Sequence, residues 1–251
     1  YNCLKVSNTT TASIAAGGNG GSNVEVSVML DVTGSMSGTK IQTLISASKD
    51  LVDTIVWADQ SKYTSRVALA PFAPAVNVGS AYYTALTNES QSYTTSCGWW
   101  SWGCSSTTGT YAPCVVERTG TQAYTDAAPG TGSWLVSWQS ATGSTSSNCT
   151  PNASIVPLTS NKTTLKAAID TLTASGATAG QLGTAFAWYL ISPNWSTIWG
   201  TSAAPGVYAD LTTMNSNGAP KLRKFAVLMT DGTYNTIQGQ SYGDNSSQAT
   251  T

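Results

Sequence analysis

Hydrophobic and polar positions change period several times along the chain, and each change marks an element. "VEVSVML" (24–30) alternates and then turns wholly apolar, the pattern of a strand buried on both faces. "TKIQTLISASKDLVDTIVWA" (39–58) sets Ile41, Leu44, Ile45, Val52, Ile55 and Val56 three and four apart, which predicts an amphipathic helix. A second strand is expected in "SRVALAPFA" (65–73), and a short third strand or hairpin partner in "AVNVG" (75–79). Helical spacing returns in "KTTLKAAIDTLTA" (162–174) on Leu165, Ile169 and Leu172, and in "GQLGTAFAWYLIS" (180–192) on Leu182, Phe186, Tyr189 and Leu190. "KFAVLMT" (224–230) is a continuous apolar strand that stops at Asp231-Gly232. Strands alternating with helices predict an α/β fold built on a doubly wound, mostly parallel sheet.

Between these elements the period is lost twice. Residues 80–157 hold four cysteines, Pro113, Pro129 and Pro151, and read as a disulfide-pinned insertion, because irregular loops of that length are rare inside a domain. Residues 193–219 form a second irregular insertion, and residues 1–22, ending in "AAGGNGGSN", a flexible lead. That leaves one domain over 23–251. A sheet of this kind ordinarily continues with further strand–helix units, so the polar end "GDNSSQATT" suggests a domain cut short at its C-terminus. The start at Tyr1, with no signal peptide, is expected of a processed chain or a fragment.

Composition narrows the chemistry. Charged residues are 9% of the 251, against about 25% in ordinary soluble domains. Net charge is -1 with no run of Lys or Arg, which sets nucleic acid aside as a partner. No apolar run is long enough to span a bilayer. Histidine is absent, which removes the usual general base, the Ser-His-Asp triad and most zinc sites. Of the five cysteines, Cys97–Cys104 and Cys114–Cys149 read as disulfides of an oxidising compartment, with Cys3 left over. Trp99, Trp100 and Trp102, between two of those cysteines, are either a partner-binding tip or the insertion's own small core. Glu117 and Arg118 read as a local ion pair.

Two apolar strands end in acids, Asp31 and Asp231, at the edge where open α/β sheets bind ligands. Two carboxylates brought together repel unless a cation lies between them. Thr33 and Ser35 follow Asp31 at alternate positions, so both hydroxyls point the same way from an extended loop. Oxygen ligands of this kind suit a hard divalent cation such as Mg²⁺, Ca²⁺ or Mn²⁺. Taken singly, Asp-x-Thr-x-Ser is also a capped turn and Asp-Gly a common one. Enzyme motifs fall short: "GSMSG" (34–38) carries Met36 where a nucleophile elbow needs serine, and "GSMSGTK" (34–40) is one residue short of a P-loop. Thr33 stands where Asp-x-Asp phosphotransferases carry their second acid.

Asp31-Val32-Thr33-Gly34-Ser35, the "SGATAGQLGTAFAW" stretch with Thr178, and "AVLMTDG" with Asp231 together resemble the von Willebrand factor A domain and its metal-ion-dependent adhesion site. The likeness covers roughly 24–80 and 158–236. It implies that Asp31, Thr33, Ser35, Thr178 and Asp231 hold one divalent cation, Mg²⁺ ahead of Ca²⁺ or Mn²⁺. A partner protein's Asp or Glu would complete the coordination. "RVALAPFAPAVNVG", "CVVERTGTQAYTDAAPG", "GTAFAWYLISPNW" and "AVLMTDGTYNT" are similar more narrowly to the TadG-like proteins of bacterial Flp/Tad pilus assembly. That resemblance implies a periplasmic or extracellular adhesion module of the cell envelope, with a membrane anchor upstream and no catalysis. The alternative is a structural envelope or extracellular matrix protein in which the metal only staples the loops. A metal-dependent hydrolase ranks last, since no His or further acid near the motif supplies a base.

Overall fold

The computed structural model describes residues 21–96 and 106–241. Its first half runs β1 (Asn23–Asp31), α1 (Thr39–Ile55), β2 (Ser65–Phe72), β3 (Val76–Asn77), α2 (Ser80–Thr87), β4 (Ser92–Thr95), β5 (Thr107–Thr110) and β6 (Cys114–Val116). Then follow β7 (Val136–Ser137), α3 (Trp138–Thr142), β8 (Val156–Thr159), α4 (Lys162–Asp170) and α5 (Gly180–Tyr189). The described residues close with α6 (Ser196–Trp199), β9 (Leu222–Met229), β10 (Thr236–Ile237) and β11 (Gln240–Ser241).

The central sheet has the order β8-β2-β1-β9. β1 runs parallel to both β2 and β9, while β8 pairs antiparallel with β2, so the fold is mixed α/β with a mostly parallel sheet. Its layers follow from side-chain alternation along β1. Val26, Val28 and Leu30 meet Ile41, Leu44, Val52 and Ile55 of α1 and Leu165 and Ile169 of α4. Met29 faces the other way and joins Leu182 and Phe186 of α5. Each such apolar side chain contributes about 1.5–3 kcal/mol when fully buried, and from Val28 to Leu30 β1 is wholly apolar. α5 comes close because Gly183 is small: a Cβ there would stand 2.6 Å from the Phe72 ring.

A charged residue of β1 is buried toward the opposite end of the strand. Glu25 is 3% exposed and pairs with Arg66 of β2 and Lys224 of β9. The Gly206 N–H donates to the same carboxylate at 2.9 Å, and Lys224 also donates to the Ile191 carbonyl at 2.7 Å. Burial lowers the Lys224 ammonium from its ordinary value, and the Glu25 carboxylate partly offsets this. The pair of cations clamps three strands together.

β9 is the outer strand of the described sheet, and Phe225 and Leu228 are exposed on it. Residues 80–157 are not structureless. They form α2, the β4–β5 hairpin, a small β3-β6-β7 sheet and α3. β3 falls in the short strand expected at 75–79, whereas β4–β7, of two to four residues, are too short to display a period, which hid them from the sequence pattern. Cys114 and Cys149 form a disulfide inside this insertion, the bond of an oxidising compartment. Cys3, Cys97, Cys104, Trp99, Trp100 and Trp102 lie outside the described residues. In 193–219, Trp195 and Trp199 are buried and stack in series on Tyr189 of α5, so this stretch belongs to the core. No helix among the described residues is long and apolar enough to cross a membrane.

Candidate metal centre

β1 ends by delivering Asp31, fully buried, to the carboxyl edge of the sheet. The register pairs Leu30 with Met229, so the residues just past β9 come level with Asp31. Asp31 Oδ1 accepts the Thr33 N–H at 3.0 Å and the Thr33 hydroxyl at 2.6 Å. Its Oδ2 accepts the Thr230 hydroxyl at 2.7 Å. Thr33 Oγ1 and Ser35 Oγ are 3.0 Å apart, and Ser35 donates to Asp231 Oδ1 at 2.8 Å. Four of the five residues named by sequence therefore form one hydrogen-bonded chain, running from the interior at Asp31 out to solvent at Ser35 and Asp231. The 3-10 turn Gly34–Met36 between β1 and α1 gives the loop its reversal and aims Ser35 outward.

Thr178 stands nearby but makes no side-chain hydrogen bond to the other four among the described residues. It is 4% exposed on the loop that enters α5. That loop is tied to the motif by Gly34 N–H to the Gly176 carbonyl and Ser175 N–H to the Val32 carbonyl, both at 2.8 Å. Gly176 has φ +85°, and a Cβ there would press on Pro74 at 2.7 Å and Thr150 at 2.8 Å, so glycine is required for the approach. On its other side the Thr178 N–H donates to Asn235 Oδ1 at 2.8 Å, and Asn235 N–H returns to the Thr178 carbonyl at 3.0 Å. The three loops of the edge are laced together by backbone.

Three residues of this edge escaped the sequence reading. Thr230 and Asn235 flank Asp231, and their position beside a strand-end acid was the available signal. Lys40, in the first turn of α1, pairs with Asp231 Oδ2. The Lys40 ammonium, with help from the Ser35 hydroxyl, holds the Asp231 carboxyl below its ordinary range.

The donor set is all oxygen, with acids at both ends and hydroxyls between, which fits a hard divalent cation and no soft one. Asp31 and Asp231 bring two negative charges and Lys40 one positive, leaving one net negative charge at the edge. The ammonium on Asp231 shows that this acid already recruits a cation. Among the described residues no group of three or more His, Cys, Asp or Glu side chains is gathered for a metal; here the acids number two and hydroxyls make up the rest. Beside Asp231, between α1 and β9, opens a groove of about 480 Å³ lined by Met36, Leu44, Leu228 and Met229.

Glu117 and Arg118 do not form the ion pair expected of them. Glu117 is bonded to Gln181 and Gln238, and Arg118 has no hydrogen-bond partner among the described residues. The Glu117 carboxylate turns to Gln181 and Gln238 and the Arg118 guanidinium to the Tyr189 and Trp195 rings.

Comparison of the chain with known protein families, with curated proteins and with solved structures finds no match.

Proposed function

We propose that the chain is a metal-dependent protein-binding module of the von Willebrand A type, acting in the bacterial cell envelope in pilus assembly or surface attachment. The observation that supports this reading best is the hydrogen-bonded run Asp31–Thr33–Ser35–Asp231 at the carboxyl edge of a mostly parallel sheet. Asp31, Thr33, Ser35 and Asp231 would hold Mg²⁺, some directly and some through water, with Thr178 joining from its tethered loop. An octahedral ion held this way keeps an open position, which an acidic side chain of a partner fills by displacing water. The groove beside Asp231 would receive the flanking apolar part of that partner. The hydroxyl-rich set and the absence of histidine favour binding over hydrolysis.

The test is thermal unfolding with and without Mg²⁺, paired with binding to an immobilised peptide carrying a single Glu. Wild type should gain stability from Mg²⁺ and capture the peptide only in its presence; Asp31→Ala should do neither. An Asp31→Ala protein that kept both responses would overturn the proposal. Stabilisation by Mg²⁺ without any peptide capture would favour a metal that only staples the loops.

A further inference from the structure

A second site lies where the insertion meets α5 and residues 234–238. Arg118 is 3% exposed, and none of its three guanidinium nitrogens has a hydrogen-bond partner among the described residues. Its charge lies over aromatic rings, 4.8 Å from the centre of Tyr189 and 5.1 Å from that of Trp195, and Asp126 attracts it from a distance without forming an ion pair among the described residues. The acids around it are engaged elsewhere. Asp126 accepts the Ser192 and Tyr208 hydroxyls, both at 2.6 Å. Glu117 accepts the Gln181 amide at 2.7 Å and the Gln238 N–H at 2.8 Å. An unpaired buried charge costs several kcal/mol, whereas a cation–π contact returns about 0.5–2 kcal/mol. The guanidinium thus lacks a hydrogen-bonded anion.

Arg118 lines a cavity of about 630 Å³, within the usual size of small-molecule sites. Four aromatic side chains, Tyr124, Trp188, Tyr189 and Tyr234, form much of its wall. Two of them are held out at the surface rather than packed: Tyr124 is 82% exposed and Trp188 42%. Glu117 and Gln181 line the same cavity, and the buried Gln181 amide oxygen also lacks a partner. We propose that this cavity binds a small organic carboxylate with a flat aromatic body, its carboxylate against Arg118 and its ring among the aromatic walls. The guanidinium nitrogens are closed to water without a ligand, so binding includes a side-chain adjustment, for which the loosely held Tyr124 leaves room. Burial pushes the Glu117 carboxyl up, while the Gln238 N–H and the Gln181 amide that it accepts oppose the shift. The proposal needs none of the metal-edge residues, and its test is run in EDTA so that the two stand or fall separately.

Three probes share one ring and differ in the head group: phenylacetate, phenylacetamide and phenethylamine. Calorimetric titration into the chain should give phenylacetate the tightest binding, with the amide weaker by about tenfold or more, as for loss of a charged hydrogen bond. Arg118→Met should lose phenylacetate by a similar factor, while its unliganded unfolding temperature holds or rises because an unpaired buried charge is gone. Trp188→Ala, at the exposed mouth, should weaken phenylacetate several-fold and serves if Arg118→Met does not fold. The proposal is overturned if no probe binds or if the amide equals the acid. It is equally overturned if the amine binds best, or if the variants bind phenylacetate as wild type does.

Discussion

The two ends of β1 each carry a buried carboxylate, and they solve the same problem in opposite ways. Glu25 is met by two cations and a backbone N–H, with its charge more than balanced inside the protein. Asp31 is met only by Thr33 and Thr230, whose hydroxyls and N–H stabilise a charge without cancelling it. A closed network cancels its charge and holds strands together, and an open one leaves a carboxylate charge uncancelled. Burial alone does not distinguish them, since both acids are nearly inaccessible. The identity of their partners does.

Breaking the closed end should have the largest effect. Glu25→Gln leaves Arg66 and Lys224 buried together without their counter-charge, and should lower stability by about 3–5 kcal/mol in urea unfolding. A loss below about 1 kcal/mol would show the clamp to be incidental. At the open end, Asp31→Ala should cost little in metal-free buffer relative to Glu25→Gln, yet it should erase the gain from Mg²⁺. For wild type that gain is about 2.7 kcal/mol at an ion concentration one hundred times the dissociation constant. Lys40→Met probes the charge at this edge directly. The ion pair it removes is exposed on the lysine side, so stability in EDTA should move by less than about 1 kcal/mol. Mg²⁺ should bind that variant more tightly, because the edge then carries two net negative charges; weaker binding would reverse the role given to Lys40.

Acid sharpens the contrast further, with the smallest effect. The Asp231 carboxyl is held below its ordinary range, chiefly by Lys40. Its folded value therefore lies under its unfolded value, and the stabilisation is full above the unfolded value and fades as pH falls through the folded one. The acid limb of the stability profile should be shallower in Lys40→Met than in wild type, as read by thermal unfolding across a pH series.

Much of this was legible from periodicity. β1, α1, β2, α4, α5 and β9 fall where the apolar spacing put them, with ends shifted by a few residues, because each is long enough to show a full period. α2 and the short strands of the insertion did not show, since elements of two to eight residues are too short to display a clear period. β8 was hidden for a related reason: Pro157 lies in its four residues, and it holds only the sheet's edge. At the metal edge, acids at strand ends could be read directly, and so could the alternate hydroxyls. Lys40 could not, because a lysine on an exposed helix turn looks like any other until the strand opposite is placed. Arg118 shows the same limit in reverse: neighbours in sequence with opposite charge suggested a pair, while each side chain packs against different partners.

The hydrogen bond between Ser35 and Asp231 joins residues 196 apart in the chain. Closing a loop of that length is slow to be repaid, so β9 docks against β1 only when most of the intervening chain has found its place. Any ion that needs both acids therefore meets a finished protein and not a folding one. In kinetic terms it would leave the early refolding rate unchanged and act by slowing unfolding, so that a slower escape from the native state, more than a faster arrival, would be the mark of an occupied site.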